Sequence, residues 1–401
     1  MEVESGGARL LLDLGLPLAA GPDEQAVLPD VPALTDSSDA GLRGVVISHA
    51  HLDHYGLLPL ARPDLPLYVG EASARILAEA AFFSPAGLVL RPAGFLHDRE
   101  PFEVGPFRVT PYLVDHSAYD SYALLVEAEG RRLFYSGDLR AHGRKPGTFR
   151  RLLENPPRDI DVLLLEGTRV TDAGDDGRST LSEADLELML AERFRATEGL
   201  GVVLASGQNL DRLVTTYRAA RRAGRTLVVD LYTATLARAT ARPTMPQQKT
   251  HDVRVYIPNR QRVLVKQTGE FARTRAVAQY RVYPEELRES SHEFALLAQT
   301  STLAELARAG CLNGASATWS MWAGYLDTDS GRRARDLLER YEVPLQVLHA
   351  SGHASVTDLR MLAAAIAPGR VVPIHTAAPA RYPELIAATA ECRQDGEWWE
   401  I

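Results

Sequence analysis

Ser48-His49-Ala50-His51-Leu52-Asp53-His54 sets three histidines and an aspartate in the order His-x-His-x-Asp-His. It follows Arg43-Gly-Val-Val-Ile-Ser48, a short apolar run with the composition of a strand, and precedes Tyr55 to Ala61, where a helix can begin. His49 and His51 are two apart, so at the end of an extended strand both imidazoles leave the same face. Asp53 and His54 follow as the chain turns away, placed to reach a second ion. Imidazole nitrogen with carboxylate oxygen is a donor set that suits zinc.

Further acids and histidines stand at the ends of apolar runs. Ala8-Arg-Leu-Leu-Leu-Asp13-Leu-Gly15 is one such run. Pro101 to Val114 reads as a hairpin with a Gly105-Pro106 turn, and it delivers Asp115-His116-Ser117. Tyr122 to Glu127 and Arg132 to Ser136 form the next pair of strands, followed by Gly137-Asp138. Asp161 to Glu166 is a buried strand ending on an acid. Near the other end, Leu345 to His349 runs into Ala350-Ser351-Gly352-His353-Ala-Ser355, then a helix over Thr357 to Ala367. Val371-Val-Pro-Ile-His375 closes the series.

Between these groups lies a different pattern. Ser179-Thr-Leu-Ser-Glu183 has the form of a capping box opening a helix to about Ala196. Strand-like Gly201 to Ser206 and Thr226 to Asp230 alternate with helical Asn209 to Ala223 and Tyr232 to Arg238. That alternation implies a parallel sheet. Residues 16–42 are rich in Pro, Asp and Gly and read as a loop.

Taken in order, these motifs resemble the metallo-β-lactamase fold and, within it, the β-CASP branch. The pattern His349-x-Ser351-Gly352-His353 followed by Pro373-x-His375 resembles the form seen in RNase J enzymes. The resemblance implies an α/β protein: an αββα sandwich with an inserted α/β β-CASP domain. The expected division is 1–178 for the first part of the core, 179–343 for the insertion and 344–401 for the returning part. Two departures accompany it. The fold is expected to open with a strand ahead of Ala8, and the sequence reads none there. Only 26 residues follow His375, which gives no room for the further C-terminal domain of RNase J and leaves a homodimer as an open expectation.

The resemblance also implies roles. His49, His51 and His116 would hold one zinc, and Asp53, His54 and His375 a second, with Asp138 bridging. Manganese is the substitute such a site tolerates. Asp13 would support a liganding imidazole. His353 would stabilise the scissile phosphate or protonate the leaving oxygen, and Glu166 would hold a histidine in its tautomer. His349, Ser351 and Gly352 would bind phosphate. The implied reaction is hydrolysis of single-stranded RNA by water activated between two metals, with Asp53, Glu166 and His353 nearest the chemistry. A DNA-directed nuclease and a small-molecule hydrolase such as a lactonase or thioesterase are the alternatives.

Composition fits this frame. A chain of 401 residues, 45% hydrophobic, is long enough for two domains. Its start shows no basic, apolar leader, and no uncharged apolar run approaches 18 residues, so a cytoplasmic protein away from membranes is expected. Cys311 and Cys392 form neither a zinc motif nor a disulfide framework. The net charge is −8, yet residues 208–281 hold 15 Lys/Arg against four Asp/Glu. A basic block in an acidic chain suggests a polyanion partner. Arg254, Arg260, Arg262 and Lys266, which flank a β-like run and turn, are the candidate nucleic-acid contacts.

Overall fold

Successive residues of the strand Ala8–Leu12 turn to opposite faces of a sheet. Leu10 and Leu12 enter the core between two sheets, whereas Leu11 packs into an outer layer. Leu42–Ile47 repeats this, Val46 inward and Val45 and Ile47 outward. In the second sheet Val162 and Leu164 face the same interior, and Leu163 and Leu165 face a separate outer cluster. These strands are covered on both faces, which is why they read as continuous apolar runs. Each leucine fully buried this way contributes about 1.5–3 kcal/mol.

The structure is a computed structural model and describes residues 1–17, 27–37, 39–175, 181–387 and 389–401. Part of the loop expected at 16–42, and Ser179-Thr180 with the boundary expected there, lie outside the described residues.

The chain forms two compact units. The first comprises Met1–Ala78, Leu88–Thr180 and Gly352–Ile401. Its five-stranded sheet runs Glu2–Ser5, Ala8–Leu12, Leu42–Ile47, Leu67–Gly70, Gly94–Leu96. Its six-stranded sheet runs Arg370–Ile374, Val162–Glu166, Arg131–Tyr135, Ser121–Ala128, Phe107–Val114, Phe102–Val104. Phe149 and Leu152 from the helix Pro146–Glu154 join Leu359, Leu362 and Ile366 from the helix Val356–Ile366 over the outer face of this second sheet. Leu77, from the helix Glu71–Phe83, packs over the first. The result is the αββα sandwich.

One expectation is corrected here. The opening strand is present: Glu2–Ser5 pairs antiparallel with Ala8–Leu12. It is short, polar and acidic, with no apolar alternation to betray it. Gly6 and Gly7, at φ of 56° and 79°, form the turn that joins the pair.

The second unit comprises Glu79–Gly87 and Leu181–Ser351. Its seven strands are all parallel, in the order Arg281–Val282, Arg254–Tyr256, Thr226–Asp230, Phe294–Ala298, Gly201–Leu204, Ser316–Trp319, Leu345–Val347. Leu345–Val347 thus extends this sheet rather than beginning the return to the sandwich, and the crossing falls at Gly352. The capping box also sits elsewhere than expected: Ser182 caps the helix Glu183–Ala196, and Asp185 reaches back to it. Among the described residues no helix is long and apolar enough to cross a membrane.

Candidate metal centre

Most of the candidate donors stand just past strand ends of the first unit, and Asp53 and His54 lie in the one-turn helix Leu52–Tyr55 that follows His51. His49 and His51 follow Leu42–Ile47, and His116 follows Phe107–Val114. Asp138 follows Arg131–Tyr135, Glu166 ends its own strand, and His375 follows Arg370–Ile374. Gly137 makes the approach of Asp138 feasible. Its φ is +52°, and a Cβ there would lie 2.8 Å from the Tyr122 carbonyl oxygen.

Two donor groups share one carboxylate. His49, His51, His116 and Asp138 form the first, and Asp53, His54, Asp138 and His375 the second. In the first, His51 Nδ1 stands 3.2 Å from His49 Nε2 and 3.1 Å from His116 Nε2. Asp138 Oδ2 lies 3.6 Å from His49 Nε2 and 3.8 Å from His116 Nε2. In the second group the same oxygen is 3.3 Å from His54 Nε2, and Asp138 Oδ1 is 3.6 Å from His375 Nδ1. Asp53 Oδ2 is 3.2 Å from His375 Nε2 and 3.6 Å from His54 Nε2. A third set, Asp138, Glu166, His353 and His375, overlaps the second.

Burial sets the charge of these groups. Desolvation holds His49 and His116 well below the usual histidine range and lowers His51 to about 4. All three are therefore neutral at pH 7, as imidazole ligands must be. Burial opposes the charged form of His54 as well, but the carboxylates of Asp138 and Asp13 raise it well above that range. The donor set fits divalent cations on a second count. His54 Nε2 and Asp138 Oδ2 are buried, face each other at 3.3 Å and make no well-formed hydrogen bond among the described residues, an arrangement that a cation held between them would relieve.

Asp13 anchors the second group. Its Oδ2 accepts from Ser48 Oγ and Tyr135 Oη, each at 2.6 Å, and faces His54 Nδ1 at 2.6 Å; its Oδ1 accepts from Ser48 N at 2.6 Å. It does so at φ +61°, a conformation that Asp tolerates better than most residues. His375 also sits at positive φ, +49°. Two such residues at one site match the strain that functional positions carry.

Glu166 is fully buried and accepts from Leu139 N and Ala354 N at 3.3 Å and from Thr168 N at 3.2 Å. Its Oε2 lies 3.4 Å from His353 Nδ1. Burial opposes the charge on His353, but Glu166 and Asp138 raise it to about 9, so it is a cation at neutral pH. Gly352 passes its carbonyl to His116 Nδ1 at 2.6 Å. A Cβ at Gly352 would lie 2.6 Å from Ser117 Oγ. His349 and Ser351 belong to the second unit.

The basic block is largely committed within the second unit. Arg212 is buried against Glu183 at 3.0 Å, and Arg222 reaches Glu187 at 2.6 Å. Arg225 donates to the carbonyls of Gly199, Phe294 and Thr197. Of the four candidate contacts, Arg254 pairs with Glu286 and donates to two carbonyls, and Arg262 pairs with Glu305 at 3.0 Å. Arg260 and Lys266 are exposed and make no ion pair among the described residues.

Several residues that support the donors carry no motif in the sequence. Thr168 Oγ1 lies 2.7 Å from His375 Nδ1. Tyr135 and Ser48 hold Asp13, and Arg140 Nε donates to buried Asp115 at 3.1 Å beside His116. The available signal was polar residues directly flanking the donor positions, which many loops also show.

This sandwich, with donors at its strand ends, defines a protein of the metallo-β-lactamase fold, and residues 9–196 match the family described as a beta-lactamase superfamily domain. Among curated relatives, the chain is 24% identical to Ribonuclease J of Helicobacter pylori over 398 residues, covering 94% of this chain and 53% of the relative. It is 26% identical to Ribonuclease J of Mycobacterium tuberculosis over 232 residues, 55% of this chain and 39% of that one. The chain thus spans about half the length or less of the curated relatives it matches. A solved structure of a protein of unknown function from Enterococcus faecalis shares the fold, at a TM-score of 0.77 and 22% identity, over 98% of this chain and 93% of that one.

Proposed function

We propose that the protein is a two-metal phosphodiesterase that cleaves single-stranded RNA, with zinc as the resident metal. The observation that carries this reading is the pair of donor groups meeting at Asp138, with His353 beside them. Similarity to Ribonuclease J supports RNA as the substrate.

Two bound divalent ions would lower the pKa of a shared water and polarise a phosphodiester oxygen. The chain's own residues do the rest. His49, His51, His116, Asp53, His54 and His375 would hold the ions, and Asp138 would face both. Asp13 fixes the ring of His54. His353, kept protonated by Glu166, presents a cation to the scissile phosphate and a proton for the leaving oxygen. Gly352 would supply a backbone phosphate contact.

The test is incubation of zinc-loaded protein with end-labelled single-stranded RNA and DNA, with and without chelator. Cleavage of RNA in preference to DNA, lost on chelation, is expected. Cleavage that survives chelation, or hydrolysis of lactones and thioesters without RNA cleavage, would overturn the reading.

A further inference from the structure

We propose that the carboxyl edge of the seven-stranded sheet binds a phosphorylated ribonucleoside, at a site built wholly from the second unit. The topology provides the place. Thr226–Asp230 and Phe294–Ala298 are neighbours. From the first, the chain leaves through the helix Leu231–Ala239 towards Arg254–Tyr256 on one side. From the second, it leaves through the helix Leu303–Arg308 and passes beyond Gly201–Leu204 to Ser316–Trp319 on the other. Where two neighbouring connections part, a crevice opens outside the carboxyl ends of the strands, and open α/β sheets bind ligands there.

A cavity of about 350 Å³ occupies this point, within the range of roughly 300–1,000 Å³ typical of ligand pockets. Its walls come from the carboxyl ends of all five of these strands and the segments that follow them, together with Phe83, Ser84 and Ala86. Phe83 and Tyr232 meet at 5.3 Å between centroids, tilted by 53°, and Phe83 is half-buried, so it offers a ring face on which a base can stack. Gln208 and Thr300 add polar side chains to the lining.

The charges decide the ligand class. Asp230 and Arg260 are the charged residues of the lining. Asp230 is buried and spent: its Oδ1 accepts from Thr233 N at 2.7 Å and its Oδ2 from Gln261 Nε2 at 2.8 Å. Arg260 is exposed and has no carboxylate partner among the described residues. A guanidinium free to fork onto a phosphate, beside an aromatic face and hydroxyl and amide groups, fits a nucleotide unit. That unit is either a free mononucleotide or one nucleotide of an RNA strand.

The experiment uses the full chain in excess chelator, so that no metal can hold the phosphate, with calorimetric titration of AMP, adenosine, inorganic phosphate and a short end-blocked oligoadenylate. AMP should bind one to one and roughly tenfold or more tighter than adenosine, the phosphate adding a charge-assisted contact. Arg260→Ala should remove that difference. Ser301→Trp, which fills an exposed position of the lining, should abolish AMP binding, with folding checked by circular dichroism, and Asp138→Ala should leave it intact. Displacement of the oligoadenylate by AMP identifies a strand nucleotide as the occupant; AMP binding without oligoadenylate binding identifies the free mononucleotide. Absence of AMP binding, or AMP binding lost in Asp138→Ala and kept in Ser301→Trp, overturns the proposal.

Discussion

Asp13 Oδ2 lies 2.6 Å from His54 Nδ1, and the opposite nitrogen of that ring faces Asp53 and Asp138. The carboxylate therefore fixes both the direction of the ring and the nitrogen that keeps its proton. Asp13→Ala should lower affinity for the second ion by about 10–100-fold. It should also destabilise the protein, because Tyr135 and Ser48 lose their acceptor. Metal analysis after dialysis is expected to show a loss of one ion per chain; an unchanged content would mean that Asp13 serves only the fold.

Protein purified without chelator should carry close to two zinc ions per chain, measured by elemental analysis. A value of zero or one would remove the two-ion arrangement and with it the shared role of Asp138.

Asp138→Ala and His353→Ala should fail differently. Asp138 belongs to both donor groups, so its loss should abolish RNA hydrolysis and reduce metal content. His353→Ala should keep the metals and cut turnover by about 100-fold or more, the scale of a lost general acid. Equal metal loss in the two variants would place His353 among the ligands.

Arg260 and Lys266 should contribute to the salt dependence of RNA binding. Replacing both with Ala should flatten the slope of log K against log salt by about 0.7–1.4, one to two phosphate contacts on a single strand. Arg254→Ala should instead lower the melting temperature and leave the slope alone, since Arg254 is held by Glu286 and two carbonyls. A slope unaffected by the double change would make the block an internally neutralised face.

Asp230 gives a pH-dependent test. Burial raises its carboxyl above the usual range, opposed by hydrogen bonds from Thr233 and Gln261. A carboxyl raised in the fold contributes stability that is present below its unfolded pKa and lost as pH rises through the folded value. Asp230→Asn has no such dependence. Its urea midpoint relative to the parent should therefore rise between about pH 4, near the unfolded pKa, and neutrality. A flat or falling difference would show that the hydrogen bonds outweigh burial.

Most of the candidate donor positions were legible because they are polar residues just behind an apolar run, as with Asp138 after Arg131–Tyr135 and His375 after Arg370–Ile374. The strand Glu2–Ser5 was not, because pairing at an edge needs no apolar side chains. The commitment of Arg254 and Arg262 was hidden for another reason. Their counter-charges, Glu286 and Glu305, lie 32 and 43 positions away, and only the packed sheet brings them together. The same holds for Thr168, whose hydroxyl meets a ring 207 positions later.

That last separation bears on the order of synthesis. A ribosome adds about 5–20 residues per second, so Thr168 emerges roughly ten to forty seconds before His375. Throughout that interval the nascent chain holds His49, His51, Asp53, His54, His116 and Asp138 but lacks His375, the residue that completes the second candidate group. Translation itself thus delays assembly of the second candidate donor group until His375 has left the ribosome.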